Sequence, residues 1–112
     1  MLLSIGIPTY NRAALLDKTL ERLTVLRIPD GVKIEVIVCN NNCTDDTSQV
    51  IGRHIEPLNE AFGNQLNRPL TGVTEDSPGR GHALNRVISE AKGDWLITTD
   101  DDILVEEDWL EG

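Results

Sequence analysis

Three consecutive carboxylates, Asp100-Asp101-Asp102, close an apolar run over residues 95–99. Adjacent anions at a strand end repel one another and are costly to desolvate unless a cation or hydrogen-bond donors sit among them. A divalent metal is the economical partner. Carboxylate oxygens are hard ligands suited to Mg2+ or Mn2+, and Mg2+ is commonly held by one or two carboxylates together with substrate phosphates. A calcium-loop alternative starting at Asp100 fails, because Leu104 stands where a third oxygen ligand belongs and Val105 where glycine is required. The competing explanation is that one of the three caps a helix over residues 106–110 while the others face water.

Other residues could serve a ligand at the same kind of position. Tyr10, the only tyrosine, could stack on a base or cover a sheet edge. Asn40, Asn41 and Asn42 offer amide groups that could read a base edge, or they form a turn. Gly79-Arg80-Gly81 joins an adaptable backbone to a guanidinium, which suits phosphate or ribose recognition. It is not a dinucleotide fingerprint, since it follows no strand and lacks the third glycine, and no Gly-x-x-x-x-Gly-Lys loop occurs. His54 and His82 stand alone and read as surface or helix-capping residues. Cys39 and Cys43 complete neither a zinc set nor a disulfide framework, so reduced thiols are expected, with Cys39 in the core.

Short strands alternating with helices must position these groups. Residues 2–8, LLSIGIP, form a buried strand. Apolar positions recurring at threes and fours give a helix over 13–26, with Asn11 as its cap. Residues 33–39, KIEVIVC, form a second strand, and Thr44-Asp45-Asp46 starts a second helix reaching about Arg53. Residues 55–78 hold three of the five prolines and read mostly as loop, with one short strand within 65–70. A third helix begins at Gly81 and is capped by Gly93; residues 95–99 form the last strand. Such alternation predicts an α/β domain built on a mainly parallel sheet with helices on its faces. In such sheets ligands gather outside the carboxyl ends of the strands. Pro8-Thr9-Tyr10-Asn11, the Asn triplet and the Asp triplet all fall there.

Composition narrows the classes. A length of 112 residues supports one domain and not two. The net charge of −9 argues against binding a phosphate backbone, so nucleic acid is not expected as a partner. Eight of the 19 acidic residues follow Gly93, with no Lys or Arg among them, so the imbalance lies in one terminal segment. No apolar run spans a membrane and the first residues lack a signal-peptide pattern. A cytoplasmic location is expected, with the membrane periphery as the alternative.

Four segments taken in order resemble the family 2 glycosyltransferases of the GT-A fold. They are Ser4-Ile5-Gly6-Ile7-Pro8-Thr9-Tyr10-Asn11-Arg12; residues 36–47, VIVCNNNCTDDT; Gly79-Arg80-Gly81 with Ala83-Leu84-Asn85; and Gly93-Asp94 through Asp102. The resemblance covers essentially the whole chain. It implies a Rossmann-like nucleotide-binding domain, ending shortly after an Asp-x-Asp signature, that serves transfer of a sugar from a nucleotide-diphosphate donor, with UDP-sugar as the expected donor. By resemblance, Pro8, Thr9, Tyr10 and Arg12 line the nucleotide, with Tyr10 against the ring. Asn40 and Asn42 lie at the base, and Arg80 approaches the nucleotide. The family often has Asp where this chain has Asn40, and Ser where it has Cys43. Asp100 approaches the ribose and Asp102 binds the metal, with Asp101 able to serve either way.

The resemblance also implies a general base and acceptor contacts supplied by sequence that follows the metal motif. Here the chain stops ten residues after Asp102, and none of its residues matches that base. The expectation is therefore a single domain, residues 1–112, forming the donor-binding half of such an enzyme, with an acceptor (glycan, lipid or protein) left open. Its partners are a nucleotide-sugar donor, a divalent cation and, through an incomplete sheet edge, a second copy of itself. The alternatives are a fragment that binds nucleotide and metal without chemistry or serves in assembly, and an unrelated α/β domain whose acidic end merely caps a helix.

Overall fold

Apolar and β-branched residues dominate the first strand, β1 (Leu2–Thr9), and the second, β2 (Lys33–Asn41), so both suit a sheet covered on two faces. In the computed structural model, residues 2–11, 13–24, 28–41, 46–76 and 79–98 are described. Helix α1 (Ala13–Leu23) follows β1, α2 (Thr47–Phe62) follows β2, and β3 (Thr71–Glu75), α3 (Arg80–Glu90) and β4 (Trp95–Thr98) complete the order. The four strands form one parallel sheet in the order β3-β2-β1-β4.

Alternation along the strands assigns the faces. Leu3, Ile5 and Ile7 of β1 and Ile34, Val36 and Val38 of β2 join Leu16, Leu20 and Leu23 of α1 and Val50, Leu58 and Phe62 of α2 in the main core. On the opposite face, Cys39 packs with Ala83 and Val87 of α3, and with Val73 and Leu96. Cys39 is thus buried in the core, as expected. Helix α3 sits close to the sheet because β1 carries Gly6 there: a Cβ at that position would lie 2.3 Å from Val87 Cγ1. Asn11, at φ 49°, turns the chain from β1 toward α1 in a left-handed conformation that Asn tolerates.

Several boundaries differ from the sequence expectation. Helix α2 does not stop near Arg53 but continues through Pro57 to Phe62, followed by a 3-10 turn at Gly63–Gln65. Val50, Ile51, Ile55, Leu58 and Phe62 carry one apolar stripe past the proline and pack against the main core. Burial of that stripe outweighs the hydrogen bond that Pro57 cannot donate. The third strand lies at Thr71–Glu75 rather than within 65–70; the earlier segment contributes one bridge, Leu66 to Ile34, and an Asn67 amide bond to the Ile34 carbonyl at 2.7 Å. Asn40 and Asn41 extend β2 instead of forming a turn. Helix α1 ends at Leu23, and residues 25–27 lie outside the described residues. Asp46 occupies the cap position of α2 but makes no side-chain capping bond, and Thr44 and Asp45 lie outside the described residues.

Gly93 has a different duty from the one expected. Helix α3 is capped at Ala91 in extended conformation. A Cβ at Gly93 would meet Ser4 Oγ at 2.5 Å, the Ser4 amide nitrogen at 2.8 Å and the Leu2 carbonyl at 2.9 Å. Glycine there permits backbone contact with β1 rather than a left-handed turn.

Candidate functional site

The sheet topology selects one edge for a ligand. Helices α1 and α2 lie on one face and α3 on the other, so the direction of the connections reverses between β1 and β4. In open α/β sheets this reversal opens a crevice beyond the carboxyl ends of the strands. Pro8 and Thr9, the last residues of β1, are buried, and the chain then emerges with Tyr10 at 60% exposure. An aromatic ring so exposed at the end of a buried strand is available to a planar ligand.

Asn40 and Asn41 close the neighbouring strand in register with β1 and β3: Thr9 pairs with Asn40, and Asn40 with Thr74. Their side chains diverge as alternation requires. Asn40, half-buried, points toward α2, where its Nδ2 lies 3.4 Å from Ser48 Oγ. Asn41 is buried and donates from Nδ2 to the Gly79 carbonyl at 2.8 Å. That bond ties the end of β2 to the start of α3. Gly79 holds φ 118°, a conformation that side chains strain to adopt. The Gly79-Arg80-Gly81 segment therefore opens α3 beside the ends of β1 and β2, at the positive end of the helix.

The expected site residues thus divide. Pro8, Thr9, Tyr10, Asn40 and the backbone of Arg80 share the carboxyl edge. The Arg80 side chain, Arg12, Asn42 and the triplet Asp100, Asp101 and Asp102 lie outside the described residues. No cluster of three or more metal-ligating side chains occurs among the described residues. Strand β4 runs parallel to β1, and Thr98, its last residue, pairs with Gly6. The Asp triplet follows two positions later in sequence.

Sequence reasoning passed over Asn41 in favour of its neighbours. The signal was the two-residue period: Asn41 shares a parity with Cys39, Ile37 and Glu35, hence the α3 side. It also set aside His54, whose Nε2 lies 2.6 Å from Asp17 Oδ1 and joins α2 to α1. His82 is exposed. None of the described helices is long and apolar enough to cross a membrane.

A buried polar cluster occupies the opposite, amino edge. Glu35 is fully buried. Its Oε2 accepts from Ser4 Oγ at 2.6 Å and from the Lys92 amide at 2.7 Å, and its Oε1 accepts from Arg68 Nε at 2.9 Å. Burial pushes the Glu35 carboxyl up. The Ser4 hydroxyl, the Lys92 amide and the Arg68 guanidinium together outweigh that and hold it below its ordinary value.

A parallel sheet ordered β3-β2-β1-β4, with α1 and α2 on one face and α3 on the other, belongs to the GT-A class of transferase folds. Residues 4–112 match the description "Glycosyl transferase family 2", and the chain belongs to that family. Among curated relatives, the poly(ribitol-phosphate) beta-N-acetylglucosaminyltransferase TarS of Staphylococcus aureus is 26% identical over 111 residues, 99% of this chain and 18% of TarS. The uncharacterized glycosyltransferase MG060 of Mycoplasma genitalium is 30% identical over 104 residues, 91% of this chain and 32% of that protein. The chain thus spans less than a third of the length of either relative. Among solved structures, the mannosyltransferase PcManGT of Pyrobaculum calidifontis in complex with GDP-Man and Mn2+ superposes with a TM-score of 0.79 at 32% identity, over 96% of this chain and 30% of that one. TarS 1–349 in complex with UDP gives 0.77 at 25% identity, over 99% and 30%.

Proposed function

We propose that the chain is the donor-binding portion of a glycosyltransferase, holding the nucleotide diphosphate of a sugar donor at the carboxyl edge of its sheet with a divalent cation. The observation that carries this reading is the meeting of separate motifs at that edge: exposed Tyr10 after β1, Asn40 as the penultimate residue of β2 beside Asn41, and the Gly79–Gly81 segment fastened there through Asn41. Each supplies one part of a donor's chemistry. Tyr10 offers a face for the base. Pro8 and Thr9 shape the floor, and an amide of the Asn cluster pairs with the base edge. Exposed amides at the start of α3 and the Arg80 guanidinium suit phosphate oxygens. Arg12 and Asn42, which follow Asn11 and Asn41 in the sequence, are assigned to the same donor.

Asp100, Asp101 and Asp102 provide the hard oxygen donors that Mg2+ or Mn2+ requires, with Asp102 as ligand, Asp101 as its alternate and Asp100 toward the ribose. When bound, the cation neutralises charge developing on the departing diphosphate. The relatives supply the precedent: PcManGT is seen with GDP-Man and Mn2+, and TarS with UDP. The acceptor and the base that deprotonates it are assigned to sequence beyond these residues, in keeping with the fraction of each relative that the chain spans.

Isothermal titration tests the reading. UDP is expected to bind in the presence of Mn2+, to bind weakly without it, and to lose the metal-dependent part in Asp102→Ala. GDP in place of UDP reports the base preference set by Asn40. A folded chain that takes up neither nucleotide with Mn2+ would refute the proposal. Self-association belongs to the same reading. Among the described residues β4 pairs only with β1, and it leaves Trp95 66% exposed, so a second copy fits this edge. A clean monomer in size-exclusion chromatography at high concentration would overturn that part alone.

A further inference from the structure

Strand β4 is four residues long and pairs with one neighbour among the described residues. Its apolar pattern specifies its register poorly: Leu96 and Ile97 are half-buried on opposite faces, and Trp95 and Thr98 are exposed. A slip of two residues would keep every side chain on its face, because the strand period is two, yet would carry the following residues about 6.6 Å along the sheet. Hydrophobic burial therefore leaves the position of the carboxyl end of β4 weakly specified.

A set of directed hydrogen bonds at the amino edge closes that freedom. The Gly93 amide donates to Ser4 Oγ at 2.9 Å, and Ser4 Oγ donates to Glu35 Oε2 at 2.6 Å. The Lys92 amide donates to the same carboxylate oxygen at 2.7 Å. The Asp94 amide donates to the Leu2 carbonyl at 2.7 Å, and the Leu2 amide donates to Asp94 Oδ2 at 3.0 Å. Arg68 braces the assembly, donating Nε to Glu35 Oε1 at 2.9 Å and Nη2 to the Glu90 carbonyl at 3.0 Å. Lys92, Gly93 and Asp94 are thus fixed to β1 and β2 immediately before β4 begins. A slipped strand would leave the Glu35 carboxylate and the Ser4 hydroxyl in the interior without these partners, which is costly.

We propose that Glu35 and Ser4 are positioning residues that set the register of β4 and thereby the position of its carboxyl end, from which the sequence leads two residues later into the Asp100–Asp102 triplet assigned above to the diphosphate and metal. Both residues lie toward the amino ends of their strands, away from the carboxyl edge assigned to the donor. This rests on the donor-binding reading above for its functional consequence, while its structural half stands apart from that reading.

The test uses the whole chain and reads both halves. Ser4→Ala and Glu35→Gln are compared with Leu58→Ala, a core substitution in α2 on the other face, under conditions where circular dichroism shows all of them folded. Loss of affinity for UDP with Mn2+ of about tenfold or more is expected in the two latch variants, since small displacements of ligand-holding groups are expensive. Leu58→Ala should stay within about twofold, being distant and independent. Backbone NMR should show the native Ser4 to Leu96 cross-strand contacts weakened or shifted in the latch variants and intact in Leu58→Ala. Latch variants that keep native cross-strand contacts and native UDP affinity would overturn the proposal. If the unsubstituted chain binds no nucleotide, the donor reading falls, and the cross-strand contacts alone decide whether the latch sets the register. If a latch variant does not fold, Asp94→Ala, which removes only the exposed bond to the Leu2 amide, provides the same two readouts with a smaller expected shift.

Discussion

Gly6 offers the sharpest test of how α3 is seated on the sheet. Replacing a strand glycine with alanine ordinarily stabilises, by about 0.5–1 kcal/mol, because the unfolded chain loses freedom. At Gly6 the sign should reverse. The new Cβ would lie 2.3 Å from Val87 Cγ1, about 1 Å inside ordinary carbon contact. Val87 is fully buried and is held by the helix in one preferred rotamer, so it has little room to turn aside. Overpacking of this kind costs about 1–3 kcal/mol. Gly6→Ala should therefore be less stable than the parent by about 1–2 kcal/mol net of the entropic gain.

The same geometry predicts a strong coupling. Val87→Ala alone removes two buried methyl groups and should cost about 2–3 kcal/mol. In the double variant the methyl group introduced by Gly6→Ala enters the space that Cγ1 vacates, so both defects shrink together. The double variant should be no less stable than Val87→Ala and within about 1 kcal/mol of it, giving an interaction energy of about 1–3 kcal/mol favouring the pair. Urea unfolding of the parent, the two single variants and the double variant measures each value, provided the transition slopes agree. A stabilised Gly6→Ala, or additive losses in the double variant, would refute the close seating of α3 on β1.

Three further outcomes follow from the same structure. Glu35 is ionised and paired in the fold with its pKa held below the ordinary value of 4.5, so its contribution is fully present above that value and is lost as pH falls through the folded pKa. Glu35→Gln should cost about 2–4 kcal/mol near neutral pH, since Arg68 loses its charged partner, and the gap to the parent should narrow in unfolding curves taken below about pH 4. Leu58→Ala should cost about 2–5 kcal/mol in urea unfolding, whereas a loop residue would give a near-neutral result, so the value tests whether α2 is packed beyond Pro57. Gly79→Ala meets no clash within contact distance, the nearest atom being His82 Cδ2 at 3.8 Å, but it must adopt φ 118°. It should lose about 1–3 kcal/mol through backbone strain alone, and UDP affinity should fall if the α3 start receives phosphate; an unchanged affinity in the folded variant would separate that segment from the ligand.

The parts of the fold visible in the sequence were those with a strong local period. Residues 33–39 announced β2 by a run of β-branched side chains, and the leucines of α1 recurred at helical spacing. The errors fell where tertiary packing overrode a local signal. Pro57 reads as a breaker, and only the continuation of the stripe through Leu58 and Phe62, seen against a sheet already in place, shows that the helix goes on. Gly93 reads as a helix terminator because nothing local reveals that β1 will press against it. The Glu35 cluster was illegible for a related reason: its members Ser4, Glu35, Arg68 and Lys92 are far apart in sequence and share no motif. At the carboxyl edge, by contrast, residue types and strand ends sufficed to gather Pro8, Thr9, Tyr10 and Asn40, because a parallel sheet brings every carboxyl end to one side.

That difference reflects a division between the two ends of the sheet. At the amino edge, polar groups are buried, mutually satisfied and engaged with backbone, which favours a single arrangement. At the carboxyl edge, Tyr10 is exposed and Asn40 half-buried. The short strand β4, at the edge of the sheet among the described residues, joins the two. Its amino end is held by the Ser4 and Glu35 bonds, and its carboxyl end leads into the acidic triplet. Substitutions at the amino edge should therefore change stability and ligand placement together, whereas Tyr10→Ala, which removes an exposed ring, should weaken nucleotide binding with little loss of stability. If Tyr10→Ala destabilised the fold as much as Leu58→Ala, the two ends would not be separable, and the placement of the ligand edge beside β1 would have to be abandoned.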